Sequence, residues 1–203
     1  MEWLVWGALV LTIIGIAVAF ITSDRGSKPA LPVLTQGLPS FTLTNQLGEQ
    51  IAASAFSNQI SIVDIVFTRC LGPCPEMTTR MSRLQSMISP SLPVKFVTLT
   101  ADPTNDTPAV LKDYAERFKA NPNRWWFLTG TKIDIARLAR EGLQLTAQET
   151  KPEERQNDAD LFIHSTVFVV LDRHGRSRGA IDSTEPEFNA RIRDAIRRLS
   201  REK

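Results

Sequence analysis

The sequence predicts an α/β fold, in which buried strands alternate with amphipathic helices, behind an N-terminal transmembrane helix. Three observations support this prediction. Residues 3–21 form an uncharged, apolar run of 19 residues. Residues 60–67 (ISIVDIVF) are β-branched and nearly all apolar, as in a central strand that is covered on both faces. After that segment, Met77, Met81 and Leu84 recur at helical spacing.

The apolar N-terminal run has the length of a membrane span. As a helix it extends about 28 Å, close to the ~30 Å thickness of the hydrocarbon core of a bilayer. Trp3 and Trp6 suit the membrane interface. A cleaved signal peptide is the alternative, but the two residues before the run are not basic. We therefore predict a transmembrane anchor over residues 1–22 and a polar linker over residues 23–38.

The remaining residues, 39–203, are predicted to form one domain. Strands are expected at 41–44, 60–67, 94–100, 125–128, 163–171 and 176–181, and helices after Pro75, from Pro108, and over 133–141 and 188–199. Strands that alternate with helices and end in a hairpin and a helix follow the β-α-β-α-β-β-α order of thioredoxin-like folds. The 24 Lys and Arg residues nearly balance the 22 Asp and Glu residues, so we predict no nucleic-acid partner.

The only two cysteines, Cys70 and Cys74, lie at the predicted junction of a strand and a helix. A stabilising disulfide between them would close a very short loop and remove little unfolded-state entropy. The intervening Leu-Gly-Pro indicates a loop, which argues against two cysteines inside a strand. With these two structural explanations disfavoured, redox chemistry or metal binding remains as the role of Cys70 and Cys74. Thiolates suit copper(I), a helix N-terminus lowers the pKa of a thiol, and the three-residue spacer lets both sulfurs face one ion.

The two histidines have different settings. His164 begins the predicted strand 163–171, at the point where a thioredoxin oxidoreductase carries a cis-proline loop, and residues 163–166 contain no proline. From the residues alone, His164 is either a metal ligand or a hydrogen-bonded core histidine. His174 is predicted to be an exposed residue of the turn 172–175.

Three motifs in order resemble the Sco/SenC family of copper chaperones for cytochrome c oxidase assembly. They are residues 68–75 (TRCLGPCP), 102–108 (DPTNDTP) and 164–166 (HST), the last followed by VVLD at 169–172. The resemblance covers about residues 39–200. It implies a thioredoxin-like domain in which Cys70, Cys74 and His164 bind one copper ion as Cu(I). Family members usually carry proline directly after the first cysteine, whereas this chain has Leu71, which puts the loop geometry and the redox potential in question.

The resemblance also implies a function and partners. The chain would deliver copper to the copper A site of cytochrome c oxidase subunit II, or prepare that site, and would need a copper donor protein and a thiol reductant. The alternative is a membrane-anchored thiol–disulfide oxidoreductase, in which Cys70 and Cys74 are the redox-active pair and His164 is dispensable. A peroxiredoxin-type peroxidase is disfavoured because one residue, not two, separates Thr68 from Cys70. A pure interaction module would give no reason for the cysteine pair.

Two acidic residues and the flanking charges complete the prediction. Asp102 and Asp106 are hard ligands that suit copper(I) poorly, so Asp106 is predicted mainly to cap a helix and Asp102 to support the site or contact a partner. Arg25 and Lys28 follow the anchor and favour a cytoplasmic domain by the positive-inside rule. A disulfide-gated site favours the outer face instead, and we predict the periplasm or the intermembrane space.

Overall fold

The computed structural model describes residues 3, 6–7, 11–16, 30–145 and 166–202. The chain divides into two units, Met1–Ala30 and Leu31–Lys203. In the first unit, the described residues before position 17 are helical. None of the helices formed by the described residues is long and apolar enough to cross a membrane. The anchor over residues 1–22 stays a prediction.

The second unit is built from strands and helices that alternate along the chain. The strands are β1 (Thr42–Asn45), β2 (Gln50–Ala52), β3 (Ile60–Val66), β4 (Val94–Thr100), β5 (Trp125–Thr129), β6 (Val167–Leu171) and β7 (Ser177–Asp182). The α-helices are α1 (Cys74–Met87), α2 (Pro108–Arg117), α3 (Lys132–Arg137) and α4 (Phe188–Leu199). A 3-10 turn, Ala53–Phe56, follows β2, and a π-helical turn, Leu138–Gly142, follows α3.

The strands form one seven-stranded sheet in the order β2-β1-β5-β4-β3-β6-β7. Strands β3, β4 and β5 are parallel, so their carboxyl ends share one edge of the sheet. Strand β6 is antiparallel to β3, with Val63 opposite Val169. Consequently β6 begins at the edge of the sheet where β3 ends.

Strand β3 is the centre of the core, because every one of its residues is buried. Ile60, Ile62 and Val66 belong to the cluster that includes residues of α1, α2 and α4, on one face of the sheet. Val63 and Ile65 belong to the cluster on the other face, with residues of α3 and the 3-10 turn. Burial on both faces explains why the segment shows no alternation of apolar and polar residues.

The predicted strand 94–100 and helix 188–199 are confirmed to the residue. Strand β2 and the 3-10 turn after it were not predicted, since three residues are too few to show a periodic pattern. The predicted strand 163–171 is described from Val167 onward, and residues 163–165 lie outside the described part of the chain.

Part of the predicted linker is held against the domain. The backbone N–H of Leu34 donates to Ser177 O at 2.7 Å, and Ser177 N donates to Thr35 Oγ1 at 3.0 Å. The buried guanidinium of Arg178 donates to Leu31 O at 2.6 Å. These bonds pair the chain from residue 31 onward with strand β7, which lies at one end of the sheet order.

Candidate metal centre

The two cysteines lie where the sequence predicted, at the junction of β3 and α1. Cys70 lies in the loop after β3, where its N–H donates to Phe67 O at 3.2 Å. Cys74 is the first residue of α1, and Pro75 occupies the first turn, where a missing N–H costs nothing. The two cysteines are not joined by a disulfide, and each is 3 % exposed. The pair therefore lies just beneath the surface, at the carboxyl edge of the parallel strands.

The two thiols interact with each other. A hydrogen bond between their side chains, followed by burial, raises the pKa of Cys74 above its usual value. A thiolate of Cys74 in this pocket has little water to solvate it, so Cys74 holds its proton in the metal-free, reduced chain. Because two sulfurs within hydrogen-bonding reach are also near disulfide reach, the geometry suits both a shared metal ion and a reversible disulfide.

Asp106 fixes the loop that carries Cys70. Its carboxylate accepts from Thr68 N at 3.1 Å and from Thr68 Oγ1 at 2.5 Å. It also accepts from Thr100 Oγ1, at the end of β4, at 2.5 Å. The prediction that Asp106 caps helix α2 is wrong: the cap is Thr107, whose Oγ1 accepts from Val110 N at 3.4 Å. Asp106 is fully buried and joins two loops instead.

Asp102 makes a second connection between the same two loops. It accepts from Arg69 Nη2 at 2.7 Å and from Asn105 Nδ2 at 2.8 Å, and it is 3 % exposed. Burial raises the pKa of Asp106, while the hydroxyl and N–H donors around it oppose that rise. Thr68 and Arg69 are thus held by two carboxylates immediately before Cys70.

The first turn of α1 is also anchored. Thr78 Oγ1 donates to Cys74 O at 2.9 Å and lies 3.0 Å from the hydroxyl of Tyr114 in α2. Burial raises the pKa of Tyr114, so this hydroxyl stays protonated. The two cysteines are therefore held from both sides, by the loop contacts before Cys70 and by α2 behind Cys74.

Asp64 lies near the cysteines and was not predicted from the sequence to belong to the site. It lies in the middle of β3, fully buried, and no side chain or backbone group of the described residues reaches either carboxylate oxygen in good hydrogen-bond geometry. Burial raises the pKa of Asp64 to about 7, and Thr98, which lies opposite it on β4, offsets this only in part. The negative form of Asp64 would further raise the pKa of Cys74. A single charged residue in a nearly apolar strand was the signal that could have identified it.

The remaining predicted ligand, His164, lies outside the described residues. His174 is confirmed as an exposed turn residue, and its N–H donates to Asp172 Oδ1 at 2.9 Å. Over residues 30–145 and 166–202, no three His, Cys, Asp or Glu side chains come together in a group that could hold a metal ion. The described part of the site is thus the pair of sulfurs and the loops that fix it.

A mixed sheet with a cysteine pair at the junction of a central strand and its following helix defines a thioredoxin-like domain. Residues 34–201 match the sequence profile of the SCO1/SenC family, so the chain belongs to that family. The SCO1 protein homolog of Bacillus subtilis is 27% identical over 164 residues, which cover 80% of this chain and 81% of that protein. The thioredoxin-like fold of the domain and the family predicted from the sequence are therefore confirmed.

Solved structures agree with this assignment. The crystal structure of a SCO1/SenC family lipoprotein from Bacillus anthracis superposes with a TM-score of 0.72 at 28% identity, covering 85% of this chain and 99% of that one. BsSco, a member of the Sco family of cytochrome c oxidase assembly proteins with a disulfide switch, gives 0.71 at 24% identity, covering 86% and 100%. Bradyrhizobium japonicum ScoI with copper bound gives 0.65 at 20% identity, covering 80% and 99%. The last two similarities show the fold.

Proposed function

We propose that this chain is a copper chaperone that delivers copper to the copper A site of cytochrome c oxidase subunit II, or prepares that site. The observation that carries the proposal is the pair of buried thiols of Cys70 and Cys74, in mutual hydrogen-bond contact, in a member of the SCO1/SenC family. The copper bound to ScoI and the membership of BsSco in a family of oxidase assembly proteins support it.

Copper is the cargo, and the chemistry of the site suits its monovalent state. Cu(I) is soft and prefers thiolate sulfur, and it forms stable complexes of low coordination number. Cys70 and Cys74 supply two sulfurs, and His164 is the proposed third ligand. The topology is compatible with this role, since β6 begins at the edge where β3 ends and His164 is three residues before Val167.

Loading exchanges protons for metal. The thiols that bind Cu(I) lose their protons, and the raised pKa of Cys74 makes this loss unfavourable until the ion compensates for it. Oxidation of Cys70 and Cys74 to a disulfide would remove both thiolates and block loading, so a thiol reductant is a necessary partner. A copper donor protein is the other necessary partner. The proposed setting is the outer face of the inner membrane, with residues 1–22 as anchor.

Copper titration of reduced chain variants tests the proposal. The parent chain should bind one Cu(I) per chain. Cys70→Ser and Cys74→Ser should lose tight binding, because a hydroxyl is a poor ligand for soft Cu(I). His164→Ala should weaken binding, and the matched control His174→Ala should leave it unchanged. Equal affinity of the parent and both cysteine variants would contradict the copper role.

A thiol–disulfide oxidoreductase is the second candidate, favoured by the hydrogen bond between the two thiols. Reduction of the disulfide in an oxidised subunit II copper A domain separates the two candidates. An oxidoreductase should keep its full reduction rate in His164→Ala, since an imidazole ligand takes no part in disulfide exchange. A chaperone should show weakened copper transfer in the same variant.

A further inference from the structure

An apolar cavity of about 340 Å³ lies between the end of α1 and the end of α4. Among the residues that line it, Ile88 and Ile196 are buried, whereas Met87 and Leu92 are exposed. Its size is at the lower end of the range of small-molecule pockets, which is roughly 300–1,000 Å³. Every residue that lines the cavity belongs to the described part of the chain, so its surroundings are complete.

The wall that α1 contributes to this cavity is held by hydrogen bonds. Arg124, directly before β5, donates from Nη1 to Gln85 O at 3.2 Å and from Nη2 to Ile88 O at 3.1 Å. In the turn that follows α1, Leu92 N donates to Ser89 O at 3.1 Å. These bonds satisfy carbonyl groups at the end of the helix and fix the turn. The cavity is therefore preformed, and a ligand would not have to order its wall.

Three arginines line the same cavity from the side of α4. Arg193, Arg197 and Arg201 are spaced four residues apart, which places them on one face of the helix and its last turn, and all three are exposed. Arg197 pairs with Asp194. Neither Arg193 nor Arg201 forms an ion pair with any of the described residues. An apolar cavity beside such arginines is complementary to a ligand that has an apolar part and an anionic group.

The chain enters the second unit next to this cavity. The buried guanidinium of Arg178 donates to the carbonyl of Leu31, the first residue of that unit, at 2.6 Å, and to Glu202 Oε2 at 2.6 Å. Glu202 directly follows Arg201, which lines the cavity. Residue 31 follows the predicted anchor over residues 1–22 by a segment that extends at most about 32 Å. An anchored chain would therefore keep the end of α4 within reach of the lipid headgroups.

We propose that this face, formed by the cavity and the three arginines, binds the anionic phospholipid surface of the membrane that anchors the chain. The arginines bind lipid phosphate groups, and the cavity takes the apolar part of a lipid. The inference rests on the proposed membrane anchor and is independent of copper binding. Cys74 and Met87 are the two ends of α1, about 20 Å apart at 1.5 Å per residue. Docking at this face therefore keeps the cysteine pair away from the lipid and open to a protein partner.

Hydrogen–deuterium exchange of the full chain in lipid nanodiscs tests this proposal. Discs of phosphatidylcholine alone are compared with discs that also contain the anionic phosphatidylglycerol, at a single chain per disc. The backbone amides of residues 88–92 and 200–202 should exchange about tenfold more slowly in the anionic discs, because basic residues near an anionic surface favour contact with it. High salt should remove this protection, since it screens exposed charges.

A double variant and a matched control assign the protection to this face. Arg193→Gln combined with Arg201→Gln should remove the protection in the anionic discs. Lys112→Gln combined with Lys132→Gln takes the same charge from exposed positions of α2 and α3, and it should keep the protection.

Each other outcome counts against the proposal. Equal exchange in the two kinds of disc would overturn the lipid contact and leave the anchor in place. Equal loss of protection in the arginine and lysine variants would assign the effect to net charge and not to this face. Protection that requires two chains per disc, in either lipid, would assign the face to a second copy of the chain. A full chain that enters no disc would overturn the proposed anchor, and the lipid contact with it.

Discussion

At the scale of single residues, the buried carboxyl group of Asp64 is a destabilising feature of the domain. Its carboxyl group is fully buried with no well-formed hydrogen bond to the described residues, and burial raises its pKa to about 7. A polar group without a partner in such a place destabilises the fold, so its presence needs a reason other than stability. Its effect on the pKa of Cys74 connects it with the site.

The raised pKa of Asp64 predicts a pH dependence of stability. Between its ordinary value near 3.8 and about 7, the folded state keeps the Asp64 proton and the unfolded state has lost it. The stabilising contribution of Asp64 to the free energy of unfolding is therefore complete below about pH 4. It is lost as the pH rises to about 7.

Urea unfolding of the reduced, metal-free chain and its Asp64→Asn variant at pH 5 and pH 8 measures this. From pH 5 to pH 8 the parent should lose about 2–3 kcal/mol relative to the variant. Asp113→Asn, at an exposed position of α2, is the control and should follow the parent. Equal changes in the parent and Asp64→Asn would show that the buried carboxyl does not titrate in this range.

Asp106 is predicted to act through the loop that carries Cys70. Asp106→Ala leaves Thr68 N and the two hydroxyls without their acceptor, so we expect a loss of roughly 2–4 kcal/mol in unfolding free energy and a weaker Cu(I) complex. Chemical denaturation and a Cu(I) competition titration measure the two effects. The exposed Asp113→Ala serves as control, and an unchanged copper affinity in a folded Asp106→Ala would exclude the positioning role.

At the scale of elements, two neighbouring residues at the start of helix α2 have different roles: Thr107 caps the helix, and Asp106 holds the loop that carries Cys70. The hydroxyl of Thr107 accepts a hydrogen bond from Val110 N in this helix. The loop that carries Cys70 is held by Asp106 and not by Thr107. Thr107→Ala should therefore cost about 1 kcal/mol of unfolding free energy and leave copper affinity unchanged. A drop in affinity as large as that of Asp106→Ala would mean that the start of α2, and not the Asp106 carboxylate, holds the site.

Element prediction from the sequence succeeded where the pattern was long and regular. The apolar stripe of α4 and the β-branched run of β4 gave their bounds to the residue. The helix expected over 133–141 is divided into α3 and a π-helical turn, a change of hydrogen bonding to which the apolar spacing is insensitive. The role of Asp106 was missed because Asp-Thr-Pro allows either residue to cap, and only the fold brings Thr68 to Asp106.

For the site as well, some residues could be predicted from the sequence and others could not. Cys70 and Cys74 could be predicted, because a cysteine pair with Gly and Pro between them at the end of a strand is typical of redox and metal sites. Asp64 could not be assigned a place near them, since its position beneath α1 and α2 depends on packing between distant segments. His164 stays a prediction from the sequence and the family resemblance.

At the scale of the whole molecule, the proposed topology places residues 1–22 in the membrane and residues 24–203 outside the cytoplasm. A disulfide-gated site needs a compartment in which a disulfide persists, and the cytosolic thiol pool would keep Cys70 and Cys74 reduced. Protease added to intact spheroplasts should digest the domain. Protection in spheroplasts, with digestion only after lysis, would contradict this topology.

The copper coordination of the reduced, loaded chain tests the central claim most directly. X-ray absorption at the copper edge reports the number and type of the ligand atoms around the ion. With two sulfurs from Cys70 and Cys74 and one imidazole nitrogen from His164 as ligands, we expect a mixed sulfur–nitrogen shell around one Cu(I) per chain. The nitrogen contribution should be lost in His164→Ala and kept in His174→Ala. A shell of four sulfurs, or of oxygens alone, would contradict the proposed copper site.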